Sequence, residues 1–451
     1  MQIVIVGAGT VGFDLAMQLQ RAKHDVSLVE KNPARCADIA EKLDILVVQG
    51  TGTSPRALTD AGLRDASMVL AVTSNDDVNI LVCSLAAQWN VANRIARIRN
   101  PEFGNSRWQV DLEKLGVTSV IDPEQLVVRI IDQIARIPDV EEVFGYHDGK
   151  VLVVRHIMRE PMPIIGKTLA EASQEAGDHH LLAVALRRGD DTRIPVASDT
   201  FEPGDDYTTV MPRESLPTYL SFLGLANRRV RKAVVAGDGL TAILLCQALQ
   251  AWVDDVTLID PSPAHSRRAA ERLDNVEVIR GNPTERDVLR EINTRGADLF
   301  VGAGRDTTLS VMSALLARSE GVPKVVAVSY EPQSNQLFRE IGVQHVVSPR
   351  RVMAQEIMDQ IHRGRISMEL HLRNLELESI EFQAQPGAKI LRGPLHDIWK
   401  PFRKTSIVGA VVRDNETIIP TGDTHIQEGD GVIVLTNPKT RRKIEGVFRG
   451  R

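Results

Sequence analysis

The sequence predicts an α/β protein with two doubly wound parallel sheets, each followed by a small α+β domain. Three observations support this fold class. Short apolar strands alternate with helical patterns over residues 1–122, as in a parallel sheet. A glycine-rich turn joins the first strand to the first helix. The whole two-part arrangement then occurs a second time along the chain.

The first strand runs directly into a glycine loop. Residues 1–12 read MQIVIVGAGTVG, with Gly7, Gly9 and Gly12 at the G-x-G-x-x-G spacing. The first glycine permits a tight turn, the second leaves room for a pyrophosphate against the backbone, and the third lets the helix pack close to the strand. The helix N-terminus then presents free N–H groups to the phosphates. The loop therefore predicts a Rossmann-like nucleotide site.

An acidic residue stands in register with this loop. The second strand, Val26–Val29, leads to Glu30, about 20 residues beyond the glycines. A carboxylate there can accept hydrogen bonds from both hydroxyls of an adenosine ribose, and it disfavours a 2′-phosphate. The other interpretation of a glycine loop is an ordinary strand–helix turn. The acidic residue favours nucleotide binding over that interpretation.

The same pattern recurs in the second half. Residues 232–245 read KAVVAGDGLTAILL, with Gly237, Gly239 and Ala242 at the same spacing, and a strand then leads to Asp260. Matching turns lie about 231 residues apart in the nucleotide-binding parts and about 225 apart in the small domains. The chain is therefore a tandem duplication of a two-part module. The predicted Rossmann-like domains are 1–122 and 231–348, and the predicted small domains are 143–225 and 370–451.

Polar side chains follow the predicted strands of the first copy, at the edge where doubly wound sheets bind ligands. Thr51 follows the third strand, and Thr73 and Ser74 follow the fourth. We expect them to contact adenosine or phosphates. The alternative role is helix capping, for which Ser74 and Asp76 are suited.

The fifth strand places Arg97 and Arg99 on one face of the sheet. Arg97 is the candidate to hold a phosphate by paired hydrogen bonds, since Arg99 lies at the end of the strand. The alternative is an ion pair at the surface or between domains.

The second copy departs from the first at these positions. Its fourth strand ends in Gly-Ala-Gly-Arg-Asp at 302–306, without the Asp-Asp-x-x-Asn pattern of Asp76, Asp77 and Asn79, and its fifth strand lacks the paired arginines. The second pocket therefore holds phosphates differently, binds them more weakly or is vacant. Arg305 is a candidate to supply the missing charge.

Bulk composition excludes several classes of protein. The formal net charge of -5 and an aromatic content of 4% argue against a nucleic-acid partner. Three widely separated cysteines predict neither a disulfide framework nor a zinc site, and we expect no metal. Since no apolar run is long enough to span a bilayer and a strand begins at Met1, we expect a soluble, cytoplasmic chain without a signal peptide.

With a duplicated dinucleotide fold and two small strand-rich domains, the chain resembles the TrkA family. These are peripheral subunits of bacterial Trk potassium uptake systems, built from tandem domains that regulate potassium conductance (RCK). The resemblance covers nearly the whole chain. Its most specific motifs are GAGTVG at 7–12, VEKN at 29–32, VVQGTGT at 47–53, AVTSNDDVN at 71–79 and IARIRNP at 95–101.

The resemblance implies binding of NAD(H), with ATP and ADP as further ligands, and gating of an integral-membrane potassium transporter subunit of the TrkH or TrkG type. It also implies a homo-oligomer (dimer or tetramer) on the inner face of the plasma membrane, with the helices after Asp122 and Ser348 as contact faces. Together with the motif glycines, it assigns nucleotide contacts to Gly7, Ala8, Gly9, Thr10, Val11, Gly12, Glu30, Thr51, Thr73, Ser74 and Arg97, and to Gly237, Asp238, Gly239, Leu240, Thr241 and Asp260.

An NAD-dependent oxidoreductase is the rival hypothesis, because fold alone does not settle function. Hydride transfer needs a substrate domain that places a proton donor or base near the nicotinamide. The small domains carry no convincing catalytic constellation, so we assign no catalytic residue and predict a sensor that is not an enzyme. A sensor without a membrane partner is a third interpretation.

Overall fold

The computed structural model describes residues 1–104, 110–147, 149–176, 181–226, 229–362, 366–372, 377–414 and 416–450. The chain divides into two compact units, and each unit combines matching parts of both halves. One unit comprises residues 1–131 and 233–357, and the other comprises 132–232 and 358–451. The four domain ranges given above remain predictions, and short stretches of them, such as 177–180 and 373–376, lie outside the described residues.

The first copy of the nucleotide-binding part is a doubly wound sheet with a helix after each of its first four strands. Its elements are β1 Gln2–Val6, α1 Thr10–Arg21, β2 Asp25–Glu30, α2 Pro33–Lys42, β3 Leu46–Gln49, α3 Pro55–Asp60, β4 Met68–Ala71, α4 Asp76–Gln88, β5 Asn93–Arg97, β6 Ser119–Ile121 and α5 Pro123–Arg136. The strands are parallel and lie in the order β3-β2-β1-β4-β5-β6. This is the Rossmann order, and it confirms the predicted fold class.

Apolar content explains why β1 and β4 lie at the centre of this sheet. Ile3, Val4 and Ile5 of β1 are fully buried, and so are Val69 and Leu70 of β4. Residues at successive positions of a strand face opposite sides of the sheet, so both sides are covered by helices. The two strands therefore end together at an interior edge, where a ligand can reach the backbone.

The first small domain is an antiparallel sheet with two short helices. Its elements are β7 Val140–Tyr146, β8 Val151–Ile157, α6 Leu169–Ala176, β9 Leu182–Arg188, β10 Asp191–Arg193, β11 Asp206–Pro212 and α7 Leu216–Phe222. The order is β10-β9-β11-β8-β7. Strand β7 was not predicted, because Glu141 and Glu142 interrupt its apolar pattern. Glu142 is nevertheless buried, and Nη1 of Arg155 donates to its carboxylate at 2.9 Å.

The second copy repeats this plan. Its elements are β12 Lys232–Ala236, α8 Leu240–Leu249, β13 Asp255–Asp260, α9 Pro263–Ala270, β14 Glu277–Arg280, α10 Arg286–Glu291, β15 Leu299–Gly302, α11 Thr307–Ser319, β16 Lys324–Val328, α12 Asn335–Glu340, β17 His345–Val347 and α13 Pro349–His362. The order β14-β13-β12-β15-β16-β17 matches that of the first sheet strand for strand.

The second small domain comprises β18 Ile366–Leu372, β19 Leu377–Gln383, α14 Leu395–Ile398, β20 Ser406–Arg413, β21 Glu416–Ile418, β22 Gly431–Thr436 and α15 Arg441–Phe448. Its sheet order is β18-β19-β22-β20-β21.

Equivalent ion pairs confirm the duplication of the small domains. Arg188 donates from Nε and Nη2 to Asp205, both at 2.7 Å, and Arg413 donates in the same way to Asp430 at 2.9 and 2.8 Å. The two aspartates belong to the Gly-Asp pairs at 204–205 and 429–430, which lie 225 residues apart, and both are buried. None of the helices among the described residues is long and apolar enough to cross a membrane.

Candidate functional site

The glycine loop of the first copy has the three properties that its spacing predicts. Gly7 has φ +102°, a left-handed conformation that glycine adopts without strain. A Cβ at Gly12 would lie 1.9 Å from the carbonyl oxygen of Gly7, so helix and strand meet too closely for any side chain. Around Gly9, no atom of the described residues lies within 4 Å of the place of a Cβ. The backbone at Gly9 is therefore open for a pyrophosphate.

Glu30 lies at the end of β2 and binds the glycine loop. Its Oε2 accepts a hydrogen bond from the backbone N–H of Ala8 at 2.8 Å, and its Oε1 accepts one from Asn32 at 2.9 Å. Arg35 donates from Nε to the carbonyl of Ala8 on the other side. Each carboxylate oxygen has a second lone pair, so Glu30 can still accept hydrogen bonds from two ribose hydroxyls. We call Gly7–Gly12 with Glu30 the first cradle.

Asn79 ties the ends of β4 and β5 together. Its Oδ1 accepts hydrogen bonds from the N–H and the hydroxyl of Thr73, at 3.0 and 2.7 Å. Its Nδ2 donates to the carbonyl oxygens of Arg97 at 2.8 Å and Thr73 at 3.2 Å. Asn79 is fully buried. Asn79 ends the Asp-Asp-x-x-Asn pattern of the sequence, which does not by itself indicate its role. In the structure it is the residue that positions Thr73 and Arg97.

Helix capping at α4 differs from the expected alternative. Asn75, and neither Ser74 nor Asp76, accepts the hydrogen bond from the N–H of Val78 that caps the helix. Asp76 instead accepts hydrogen bonds from the N–H groups of Arg99 and Asn100, at 3.0 and 2.8 Å. Ser74 is exposed at the edge of the sheet. Its side chain is thus available to a ligand.

Arg97 and Arg99 have different surroundings. Arg99 takes the ion-pair alternative, with Nη2 2.9 Å from Glu124. Arg97 is half-buried, and its Nε atom has no hydrogen-bond partner among the described residues. Burial lowers the pKa of Arg97, and the neighbouring charge of Arg99 lowers it further. A desolvated guanidinium with an unpaired donor at the ligand edge is suited to a phosphate oxygen.

The other assigned residues of the first copy lie at the same edge. Thr10 is exposed at the start of α1, and Val11 is buried beneath it. Thr51 is exposed after β3, where its hydroxyl lies 3.0 Å from that of Thr53. The assigned side chains thus surround the carboxyl ends of β1, β2, β3, β4 and β5, where the fold binds its ligands.

The second copy builds a different loop from the same plan. We call Gly237–Thr241 with Asp260 the second cradle. Gly237 is not in the left-handed region, unlike Gly7. Asp260 is buried, and its Oδ1 accepts a hydrogen bond from the N–H of Ser262 at 2.7 Å. Burial raises the pKa of Asp260, and the carboxylate of Asp238 raises it further. Leu240 and Thr241 form the first turn of α8.

Tyr330, beside the second cradle, lies within electrostatic reach of charged residues of the first copy. Tyr330 follows β16 at the position equivalent to Arg99, and its N–H donates to Thr307 as that of Arg99 donates to Asp76. Burial raises the pKa of Tyr330, and the nearby carboxylate of Glu124 raises it further, whereas a hydrogen bond with Thr241 lowers it. Glu124 lies in the first turn of α5. A charge at the edge of the first cradle thus influences a group at the edge of the second.

Comparison with known families matches both halves of the chain. The TrkA-N domain matches residues 3–123 and 233–349, and the TrkA-C domain matches residues 395–449. The two TrkA-N matches cover both doubly wound sheets. They account for more than half of the chain.

Full-length relatives and one solved structure agree with these matches. The Trk system potassium uptake protein TrkA of Azorhizobium caulinodans is 27% identical over 100% of this chain and 99% of its own length. The protein of the same name from Halomonas elongata is 28% identical with the same coverage. The GsuK channel bound to NAD has a TM-score of 0.62 at 17% identity, over 99% of this chain and 78% of that one. At this identity, the structural likeness concerns the fold alone.

Proposed function

The chain belongs to the TrkA family, and from this we propose that it is a nucleotide-sensing regulatory subunit of a potassium uptake system. The relatives are named as potassium uptake proteins, and these are not the names of enzymes. In this proposal the chain is a regulator and not a dehydrogenase. In this proposal it lies in the cytoplasm, peripheral on the inner face of the plasma membrane, and its ligand changes the activity of an integral-membrane partner.

The observation that carries the proposal is the open face of Gly9 beside Glu30. Free N–H groups at the start of α1 would hold the pyrophosphate, because a helix N-terminus favours anions. Glu30 would accept hydrogen bonds from the adenosine ribose and would disfavour a 2′-phosphate, which selects NAD(H) over NADP(H). Arg97 would contact a phosphate, and Thr51, Thr73 and Ser74 would contact the remainder of the nucleotide. ATP and ADP share the adenosine and phosphate groups, so they compete for the same residues.

Calorimetric titration with NAD, NADH, ATP and ADP tests the nucleotide assignment. We expect Glu30→Ala to weaken NAD(H) binding by roughly tenfold or more, since a hydrogen bond to a charged group contributes about 1.5–3 kcal/mol. Glu30→Gln is the control that retains the length of the side chain and loses its charge; it should retain part of the affinity. Unchanged affinity in Glu30→Ala for every nucleotide contradicts the assignment of the first cradle.

Regulation by the ligand requires that it bind one conformation more tightly than another. We propose that occupancy of the first cradle alters the electrostatic interaction of Arg99 and Glu124 with Tyr330 and so the arrangement of the two copies. The partner would be a potassium transporter subunit of the TrkH or TrkG type, and the chain would act as a homo-oligomer. Potassium flux into proteoliposomes that contain the co-purified membrane protein, measured with and without NADH, tests this. The proposed regulation is contradicted if the potassium flux is the same for the wild type and for Glu30→Ala, both with and without NADH.

A further inference from the structure

The second loop carries a carboxylate where the first has a methyl group. Asp238 stands at the position of Ala8, between two glycines. Its Oδ1 accepts a hydrogen bond from the N–H of Arg305 at 3.1 Å, which holds the carboxylate beside the loop. A pyrophosphate bound in a glycine loop approaches this part of the backbone. An ionised carboxylate there repels it.

The side chain of Arg305 lies over Gly239, the loop glycine at which a bound pyrophosphate would approach the backbone. Its Nε and Cγ atoms lie 3.5 and 3.6 Å from the place of a Cβ at Gly239. The corresponding point at Gly9 has no atom of the described residues within 4 Å. The first copy has Ser74, a much shorter side chain, at the position of Arg305. The approach to the loop glycine is therefore open in the first cradle, whereas in the second the side chain of Arg305 lies over it.

The charged residues around the two cradles also differ, and the differences favour phosphate binding in the first cradle over the second. The first copy sets the carboxylate of Glu30 against the guanidinium of Arg97. In the second copy a buried valine, Val328, replaces that arginine. Asp238 also acts on Asp260 and raises its pKa, so two carboxylates interact where the first copy has one. Both differences disfavour a phosphate group in the second cradle. The guanidinium of Arg305 offsets part of this repulsion, so its position over Gly239, and not its charge, is what opposes binding.

We infer that Asp238 and Arg305 close the second cradle to dinucleotides, so that each chain takes NAD(H) in the first cradle and none in the second. The inference rests on the proposed nucleotide binding by the first cradle. It makes Asp238 and Arg305 the residues that determine which copy senses the ligand. In this arrangement the second copy binds no dinucleotide, and it responds to the ligand only through the first copy.

Exchange of these residues for those of the first copy tests the inference. NAD and NADH are titrated by calorimetry into the full-length wild type and into Asp238→Ala/Arg305→Ser. We expect the stoichiometry to rise from one dinucleotide per chain to two, because the exchange removes both the charge and the cover. Glu30→Ala weakens binding to the first cradle. When Asp238→Ala/Arg305→Ser is added to Glu30→Ala, the binding heat that Glu30→Ala alone has lost should return.

Asp238→Asn is the matched control, since it keeps the size of the side chain and removes the charge. It should gain less affinity than the double exchange, because Arg305 still covers Gly239. Melting temperatures confirm that each variant is folded.

Two results overturn the inference. They are two dinucleotides per wild-type chain, and a folded double variant that still binds only one dinucleotide. The first needs no gain of function, so it stands even if the double variant does not fold. Absence of any binding to the wild type would instead contradict the proposed function of the first cradle.

Discussion

The carboxylate of Glu30 accepts a hydrogen bond from the backbone N–H of Ala8 at 2.8 Å, across 22 residues of sequence. This contact joins the end of β2 to the glycine loop after β1. The carboxylate of Glu30 and the glycine loop, the groups proposed to bind ribose and phosphates, are therefore held together without a ligand. Such preorganisation reduces the ordering cost of binding.

Alanine at Gly9 should weaken ligand binding and leave the fold intact, whereas alanine at Gly12 should disrupt the fold. Gly9→Ala adds a methyl group to open space, so the melting temperature should stay within about 2 °C of the wild type while NAD(H) affinity falls at least tenfold. Gly12→Ala places a Cβ 1.9 Å from the Gly7 carbonyl oxygen, so it should unfold or strongly destabilise the domain. Thermal melts and calorimetry measure both effects. A Gly9→Ala variant that binds normally would show that no ligand lies against this backbone.

Arg97 should be more important for binding than for stability. Arg97→Met keeps the aliphatic packing and removes a guanidinium whose pKa burial lowers, so the melting temperature of the ligand-free chain should not fall. Nucleotide affinity should fall roughly tenfold, because a phosphate loses a charged donor. The matched control is Arg99→Met, which breaks the ion pair with Glu124 and should lower the affinity much less than Arg97→Met does. Equal losses of affinity in both variants would assign Arg97 no direct contact.

Asn79 should contribute more to stability than its counterpart in the second copy. Asn79→Ala leaves the N–H of Thr73 and the carbonyl of Arg97 without their partner, and we expect it to cost about 2 kcal/mol of unfolding free energy. Ser310 occupies the equivalent position and donates only to carbonyls, those of Gly304 and Asp306. Ser310→Ala should therefore cost about 1 kcal/mol or less. Denaturant unfolding measures both free-energy losses. Equal losses would contradict the role of Asn79 in joining the ends of β4 and β5.

Asp260 should make stability depend on pH. Its pKa is raised above the ordinary value of 3.8 by burial and by Asp238, so the folded chain binds this proton more tightly than the unfolded chain does. The stabilising contribution of the protonated group is complete below 3.8 and is lost as the pH rises through the folded-state pKa.

Asp260→Asn cannot titrate and can still accept the hydrogen bond from Ser262. It should melt higher than the wild type at neutral pH, and the difference should shrink as the pH falls towards 3.8. Melting curves over this pH range are the measurement. A difference in melting temperature that is independent of pH contradicts the assignment.

Much of the first cradle could be predicted from local sequence. The spacing of Gly7, Gly9 and Gly12 reports local backbone geometry, and Glu30 follows from the length of one strand–helix–strand unit. The predicted strands agree with the observed ones to within one residue at each end: they are Ile3–Val6, Val26–Val29, Ile45–Val48, Met68–Val72, Arg94–Ile98 and Ser119–Ile121. Strand β7 escaped prediction, since the buried Glu142 is compensated by Arg155, which comes from another strand.

The sequence by itself determined the duplicated α/β plan, the glycine loops and the acidic residue after each second strand, because spacing along the chain specifies these features. Only the tertiary structure decided that Asn79 joins two strand ends, that Nε of Arg97 has no partner in the described part of the chain and that Arg305 lies over Gly239. These features depend on distances between remote residues, such as Asp238 and Arg305, which are 67 positions apart. Hydrophobic periodicity places strands and helices, but it does not specify which polar side chains meet at their ends.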